Sequence, residues 1–220
     1  PHHSTFKKLI LTPRGYIFIM ANFGELVLVL GDMYIPQRAC SIPEKFKRML
    51  VPNKMQHVLC TGNLGSRDQY EELRNLAPNV HVVSGDYEYN SPGLTLPSHS
   101  HQPNTPNPTT QSAQYFPETK VIQVGEFRIG MIHGHQVVPW GDHESLAMIR
   151  RKLDCDVLIY GGTHKNEVVE HDGYYHINPG SITGAFSPAS TTKVIPSFVL
   201  LAVQGPKVVC YVYELIGDDV

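Results

Sequence analysis

Three short apolar runs, Leu26-Leu30, Gln56-Cys60 and Val80-Val83, are each followed within a few residues by a glycine and a polar side chain: Gly31-Asp32, Gly62-Asn63 and Gly85-Asp86. Between them lie PEKFKRML, after Ile42, and SRDQYEELRNL, from Ser66. Both place apolar residues at spacings of three and four, the helical period, and Ser66 is suited to cap the second helix. The order strand, helix, strand, helix, strand predicts right-handed βαβ units in a parallel sheet. The polar residues then gather at its carboxyl edge, where open α/β sheets bind ligands.

The pattern stops at 90–117. That stretch holds six prolines, few apolar residues and no period, so it cannot bury enough apolar area to offset its ordering entropy. We expect a disordered insertion there, deletable without loss of stability. Beyond it, KVIQVGEFRIGMIHGH predicts two strands turning near Gly125-Glu126, and GDHESLAMIRRKL a helix capped by Asp142. CDVLIYGG, a hairpin turning at Asp172-Gly173, and two last strands joined at Gln204-Gly205-Pro206 complete the chain. A strand-rich second half packed on a βαβ first half predicts two mixed sheets with helices outside, a four-layer α/β/β/α sandwich. One domain, 25–220, is expected. Residues 1–24, basic and without an acid before Glu25, read as a mobile extension or a cloning remnant.

Composition changes this picture little. A net charge of -2, from 18 Lys+Arg against 20 Asp+Glu, gives no field for nucleic acid or an anionic membrane. Cys40, Cys60, Cys155 and Cys210 are far apart in sequence, Cys60 and Cys210 sit inside apolar strand-like runs, and the four read as reduced core thiols.

The succession Gly31-Asp32, Gly62-Asn63, Gly85-Asp86, His133-Gly134-His135, Gly162-Thr163-His164, each at a strand end, resembles the metallophosphoesterase family. Members bind two divalent metals around a bridging water. The resemblance maps their seven ligand positions to Asp32, Tyr34, Asn63, Asp86, His133, Gly162 and His164. Tyr34 and Gly162 replace histidines. A neutral phenol is a poor ligand and glycine offers no side chain. Asn63 replaces the bridging aspartate. Two dications about 3.5 Å apart repel by roughly 19 kcal/mol at an effective dielectric of about 20, so a neutral amide cannot bridge them. Tyr87 stands where the catalytic histidine would supply the leaving-group proton. The vestigial set Asp32, Asn63, Asp86, His133 and His164 leaves two good ligands per ion, fit at most for weak zinc or manganese at a single site. No catalytic residue and no required cofactor are expected.

HGHQVVPWGD, HINPGS, IPSFVL and YVYELIGDDV sharpen the resemblance to the branch that serves as the smallest subunit of the retromer cargo-recognition core. That resemblance implies a non-catalytic scaffold in endosomal protein transport, cytoplasmic and peripheral on endosomes, touching the membrane only through its complex. The old pocket would be covered by the large α-solenoid subunit along a rim containing Val138, Pro139 and Trp140. From the residues alone, those three read as a core segment. A second apolar patch for Rab regulators or other endosomal effectors maps to Leu26, Leu200, Tyr211 and Tyr213, which otherwise read as a half-buried sheet face. The alternative, motivated by the surviving Asp32, Asp86, His133 and His164, is a residual single-metal phosphoesterase.

Overall fold

A computed structural model describes residues 7–11, 24–89, 116–188 and 190–217. Among them, one sheet runs β1-β11-β10-β2-β3-β4 and a second β5-β6-β7-β9-β8. The first contains β1 (Lys7–Leu11), β2 (Glu25–Leu30), β3 (His57–Cys60), β4 (Asn79–Val82), β10 (Ser197–Gln204) and β11 (Lys207–Glu214). The second contains β5 (Thr119–Val124), β6 (Phe127–Ile132), β7 (Val157–Ile159), β8 (Asn166–His171) and β9 (Tyr174–Pro179). β2, β3 and β4 are parallel, as are β6, β7 and β9, while β10 and β5 run antiparallel to their neighbours.

The β2 run Leu26-Leu30 is apolar at every position because both of its faces are covered. Val27 and Val29 point between the sheets with Leu59, Met131, Ile159 and Leu201. Leu28 and Leu30 point outward, against Phe46 of α1 (Glu44–Met49) and Leu73 of α2 (Arg67–Leu76). On the second sheet, Leu158 and Ile132 pack under Leu146 of α4 (His143–Leu153). The four expected layers are present. Ser66 occupies the cap of α2 but makes no side-chain cap bond, whereas Asp142 accepts from Ser145 N at 2.9 Å at the start of α4.

Two expected boundaries shift. Lys7–Leu11 lies inside the stretch expected to be an extension, yet it pairs antiparallel with β11, Lys8 opposite Tyr211, as the sheet's edge strand. The insertion also ends earlier than 117. Phe116 is buried against Tyr70, ring centroids 5.5 Å apart, and Pro117 O accepts from Ser84 N at 2.8 Å. The rest of the insertion and of 1–24 falls outside the described residues, apart from Gly24. A four-residue helix, α3 (Asp86–Tyr89), was not anticipated.

Candidate functional site

The carboxyl ends of β2, β3, β6 and β7 deliver Asp32, Asn63, His133 and His164 to one place, and the loop after β4 adds Asp86. The loops turn sharply: Asp32, Tyr34, Asn63 and His164 have φ of 49°, 49°, 56° and 59°. These left-handed values are uncommon outside glycine. Asp32, Asn63, His133 and His164 are all buried.

Asn63 sits at the centre. Its Oδ1 accepts from Tyr87 N at 3.0 Å, which fixes the amide so that Nδ2 faces the acids. Nδ2 lies 2.8 Å from Asp86 Oδ1, 3.2 Å from Asp32 Oδ1 and 3.0 Å from His133 Nε2, and it contacts the Tyr34 hydroxyl. Two amide protons face four neighbours, so the carboxylates, as charged acceptors, are where they bind best. Asp32 Oδ2 accepts from Gly162 N at 2.9 Å, and Ser181 Oγ donates to the Asp32 carbonyl at 2.7 Å.

The imidazoles lie against the acids, His133 Nε2 also being 3.9 Å from Asp32 Oδ1. Asp86 Oδ1 is 3.1 Å from His133 Nε2, and Asp32 Oδ1 is 3.7 Å from His164 Nε2. The hydrogen bond from His133 holds the Asp86 carboxyl well below the usual carboxylate range. Burial disfavours a charged His133, but the Asp86 hydrogen bond and the Asp32 and Asp86 charges outweigh it and raise its pKa. His133 Nδ1 donates to Thr61 O at 2.8 Å, orienting Nε2 toward the acids. Burial, then the charges of Asp32 and Asp86, push the Tyr34 phenol far up, so it stays neutral.

These residues do not fit a bridged pair of metal ions. The bridging position holds an amide, the carboxylates are engaged by internal donors, and Gly162 supplies only its backbone. Among the described residues, no three His, Cys, Asp or Glu side chains converge as a ligand set.

The core reading of Val138-Trp140 is corrected. Val138 is 80% exposed and Trp140 47%, and Pro139 is exposed too, while only Val137 of that segment is buried. Two short turns, Val137 N to Gly134 O and Asp142 N to Pro139 O, both 3.1 Å, project the segment outward. Trp140 lines the same cavity as Tyr34, Asp86, His133 and His164. The rim and the old site are thus one surface.

Leu26, Leu200 and Tyr213 line a second, apolar cavity with Met49, Leu50 and Phe198. Phe198 and Tyr213 stack at 4.7 Å. Tyr211 shares their face, alternating with buried Cys210 and Val212, but is not part of the cavity wall.

Three contributors escaped sequence reasoning. Glu88, 4% exposed, accepts from the backbone N–H of Asn63, Leu64 and Gly85 and ties two site loops together. Its signal was an acid two residues past Asp86, flanked by tyrosines. Arg38 lies 3.9 Å over the Tyr34 ring and donates to Phe186 O at 3.0 Å; the four-residue spacing from Tyr34 was the clue. Phe186, 64% exposed, had no periodic signal.

A family model described as a calcineurin-like phosphoesterase superfamily domain matches residues 26–205. Vacuolar protein sorting-associated protein 29 of Schizosaccharomyces pombe is 36% identical over 198 residues, 89% of this chain and 94% of that protein. The solved structure of vacuolar protein sorting 29 from Cryptosporidium parvum is 45% identical, with a TM-score of 0.78 over 90% of this chain and 95% of that one. The Entamoeba histolytica protein, solved in complex with zinc, is 43% identical, with a TM-score of 0.72 over 88% and 94%.

Proposed function

The chain belongs to the vacuolar protein sorting-associated protein 29 family of the calcineurin-like phosphoesterase superfamily, and from that premise we propose that it is the non-catalytic small subunit of retromer. In this reading its degenerate metal-site face docks on the large α-solenoid subunit. The observation that carries the reading is the Asn63 amide, which stands where a bridging carboxylate is needed and contacts both Asp32 and Asp86. The exposed Val138-Pro139-Trp140 rim beside it supports docking, since aromatic and aliphatic anchors around a pocket concentrate interface energy. No metal is required.

The apolar cavity at Leu26, Leu200 and Tyr213 is the effector patch in this reading, serving Rab regulators or other endosomal proteins, with Tyr211 at its margin. The protein works in the cytoplasm, peripheral on endosomes through its complex. Consistent with that, no helix among the described residues is long and apolar enough to cross a membrane.

Co-elution with the carboxyl-terminal half of a retromer large subunit tests the reading. The wild-type chain forms a complex and Val138→Asp does not; failure of both to bind counts against it. The second reading, a single-metal phosphoesterase, is favoured by the 3.1 Å Asp86–His133 pair. It requires zinc- or manganese-dependent cleavage of a generic phosphodiester that vanishes in His133→Ala.

A further inference from the structure

Behind the rim, three imidazoles meet from three elements: His143, the first residue of α4, His171, the last of β8, and His176, the third of β9. Ring centroids are 5.5 Å apart for His143 and His176, 5.6 Å for His171 and His176, and 6.3 Å for His143 and His171. His143 Nδ1 lies 3.2 Å from His176 Nδ1. A hydrogen bond across that gap needs one of the two nitrogens bare.

The surroundings assign the protons. His143 Nε2 faces Glu167 Oε2 at 3.5 Å, the oxygen that also accepts the Tyr160 hydroxyl at 2.7 Å. A proton on His143 Nε2 leaves its Nδ1 to accept from His176 Nδ1–H. His176 Nε2 is then a bare nitrogen, and it has no hydrogen-bond partner among the described residues. His171 Nε2 is 3.5 Å from Glu144 and 3.8 Å from Asp172.

His176 is completely buried. Arg150 from α4 is a fixed positive charge beside it, His143 from α4 and His171 from the hairpin add to that charge when protonated, and Asp172 in the β8–β9 turn opposes them. Arg150 is held in place over the Tyr174 ring at 3.4 Å. Burial first, then those cations, depress the His176 pKa from 6.5 to about 4. The neutral form belongs to the closed packing, and a proton on Nε2 creates a buried cation without an acceptor.

We propose that the three-histidine cluster is a proton-operated latch that ties the first turn of α4 to β9 and thereby positions the Val138-Trp140 rim. Neutral, His176 holds His143 through the Nδ1 contact. Protonation at Nε2 keeps the Nδ1–H but makes a buried cation with no acceptor, and the water that enters between α4 and β9 to solvate it separates His176 from His143. The rim follows, because Asp142, the α4 cap, donates its N–H to Pro139 O at 3.1 Å, and His143 is only three positions from Trp140.

Trp140 is the only tryptophan in the chain, so its fluorescence reports the rim on the isolated protein, independently of any partner. Emission is followed from pH 8 to pH 3.5 for wild type, His176→Phe, His171→Gln and His135→Asn, with circular dichroism confirming the fold. The latch predicts a wild-type transition with its midpoint between 6.5 and about 4. His176→Phe abolishes it. His171→Gln moves the midpoint to higher pH, because one cation facing His176 is gone. His135→Asn, which alters the cavity that Trp140 lines, leaves it in place. The same transition in His176→Phe as in wild type, or its loss in His135→Asn, overturns the latch. Should His176→Phe fail to fold, a His171→Gln midpoint that is unmoved or lower overturns it equally.

Discussion

The Asn63 carboxamide nitrogen lies 2.8 Å from Asp86 Oδ1, so a neutral donor occupies the junction between the acids that a bridged metal pair would need. The same nitrogen reaches Asp32 at 3.2 Å. Replacing it by a carboxylate puts a third acid against two others, with His133 alone to compensate. Asn63→Asp is therefore expected to destabilise the metal-free protein by at least about 2 kcal/mol, or roughly 4–8 °C at this size. Manganese should restore part of that loss. A melting temperature unchanged in chelator contradicts this account. Gly162→His offers no easy repair, because residue 162 has φ of 81°, a left-handed conformation that side chains with a Cβ rarely adopt.

Glu88 satisfies three buried backbone N–H groups on two loops. Orphaning them costs about 1–3 kcal/mol apiece before relaxation, so Glu88→Ala should lose about 3 kcal/mol in urea unfolding, and Glu88→Gln less. A loss below about 1 kcal/mol for the alanine variant would show that water replaces the carboxylate freely.

The insertion and the residue that ends it should respond oppositely. Deleting 90–115 is expected to change the melting temperature by less than about 3 °C, whereas Phe116→Ala should cost about 3 kcal/mol, or roughly 6–12 °C. Phe116 is buried and packs on Tyr70. Equal effects from the two changes would place the boundary elsewhere.

How much was legible in the sequence follows from which signals are local. Leu26-Leu30 and its neighbours announced themselves because a buried strand is apolar throughout, and glycine-polar pairs marked where each strand ended. That Asp32, Asn63, Asp86, His133 and His164 come from successive strand ends was likewise visible in motif order, though their mutual distances were not. Val138-Pro139-Trp140 read as core from the residues alone and as rim only through the resemblance, because composition cannot say which way a turn projects. Lys7–Leu11 was missed because an edge strand borrows its order from β11, and Glu88 because its partners are backbone groups that carry no sequence signature. The histidine cluster joins residues up to 33 positions apart, a distance no period spans.

Burial, Lys120 and His57 depress the His81 pKa from 6.5 to about 4. The unfolded chain therefore binds more protons than the fold between those values, and stability rises with pH across that window. The melting temperature should climb from pH 4.5 to pH 6.5, and His81→Gln should flatten the climb. A steeper climb in the variant would reverse the assigned sign.

The most direct test of the account is the affinity for the large-subunit solenoid, measured by calorimetry in chelator and again with excess zinc, for wild type and Val138→Asp. A metal-free docking face predicts wild-type affinities equal within about twofold in the two buffers, and a loss of at least about thirtyfold in the variant, the scale of a 2 kcal/mol anchor. Binding that collapses in chelator, or that Val138→Asp leaves intact, would contradict it.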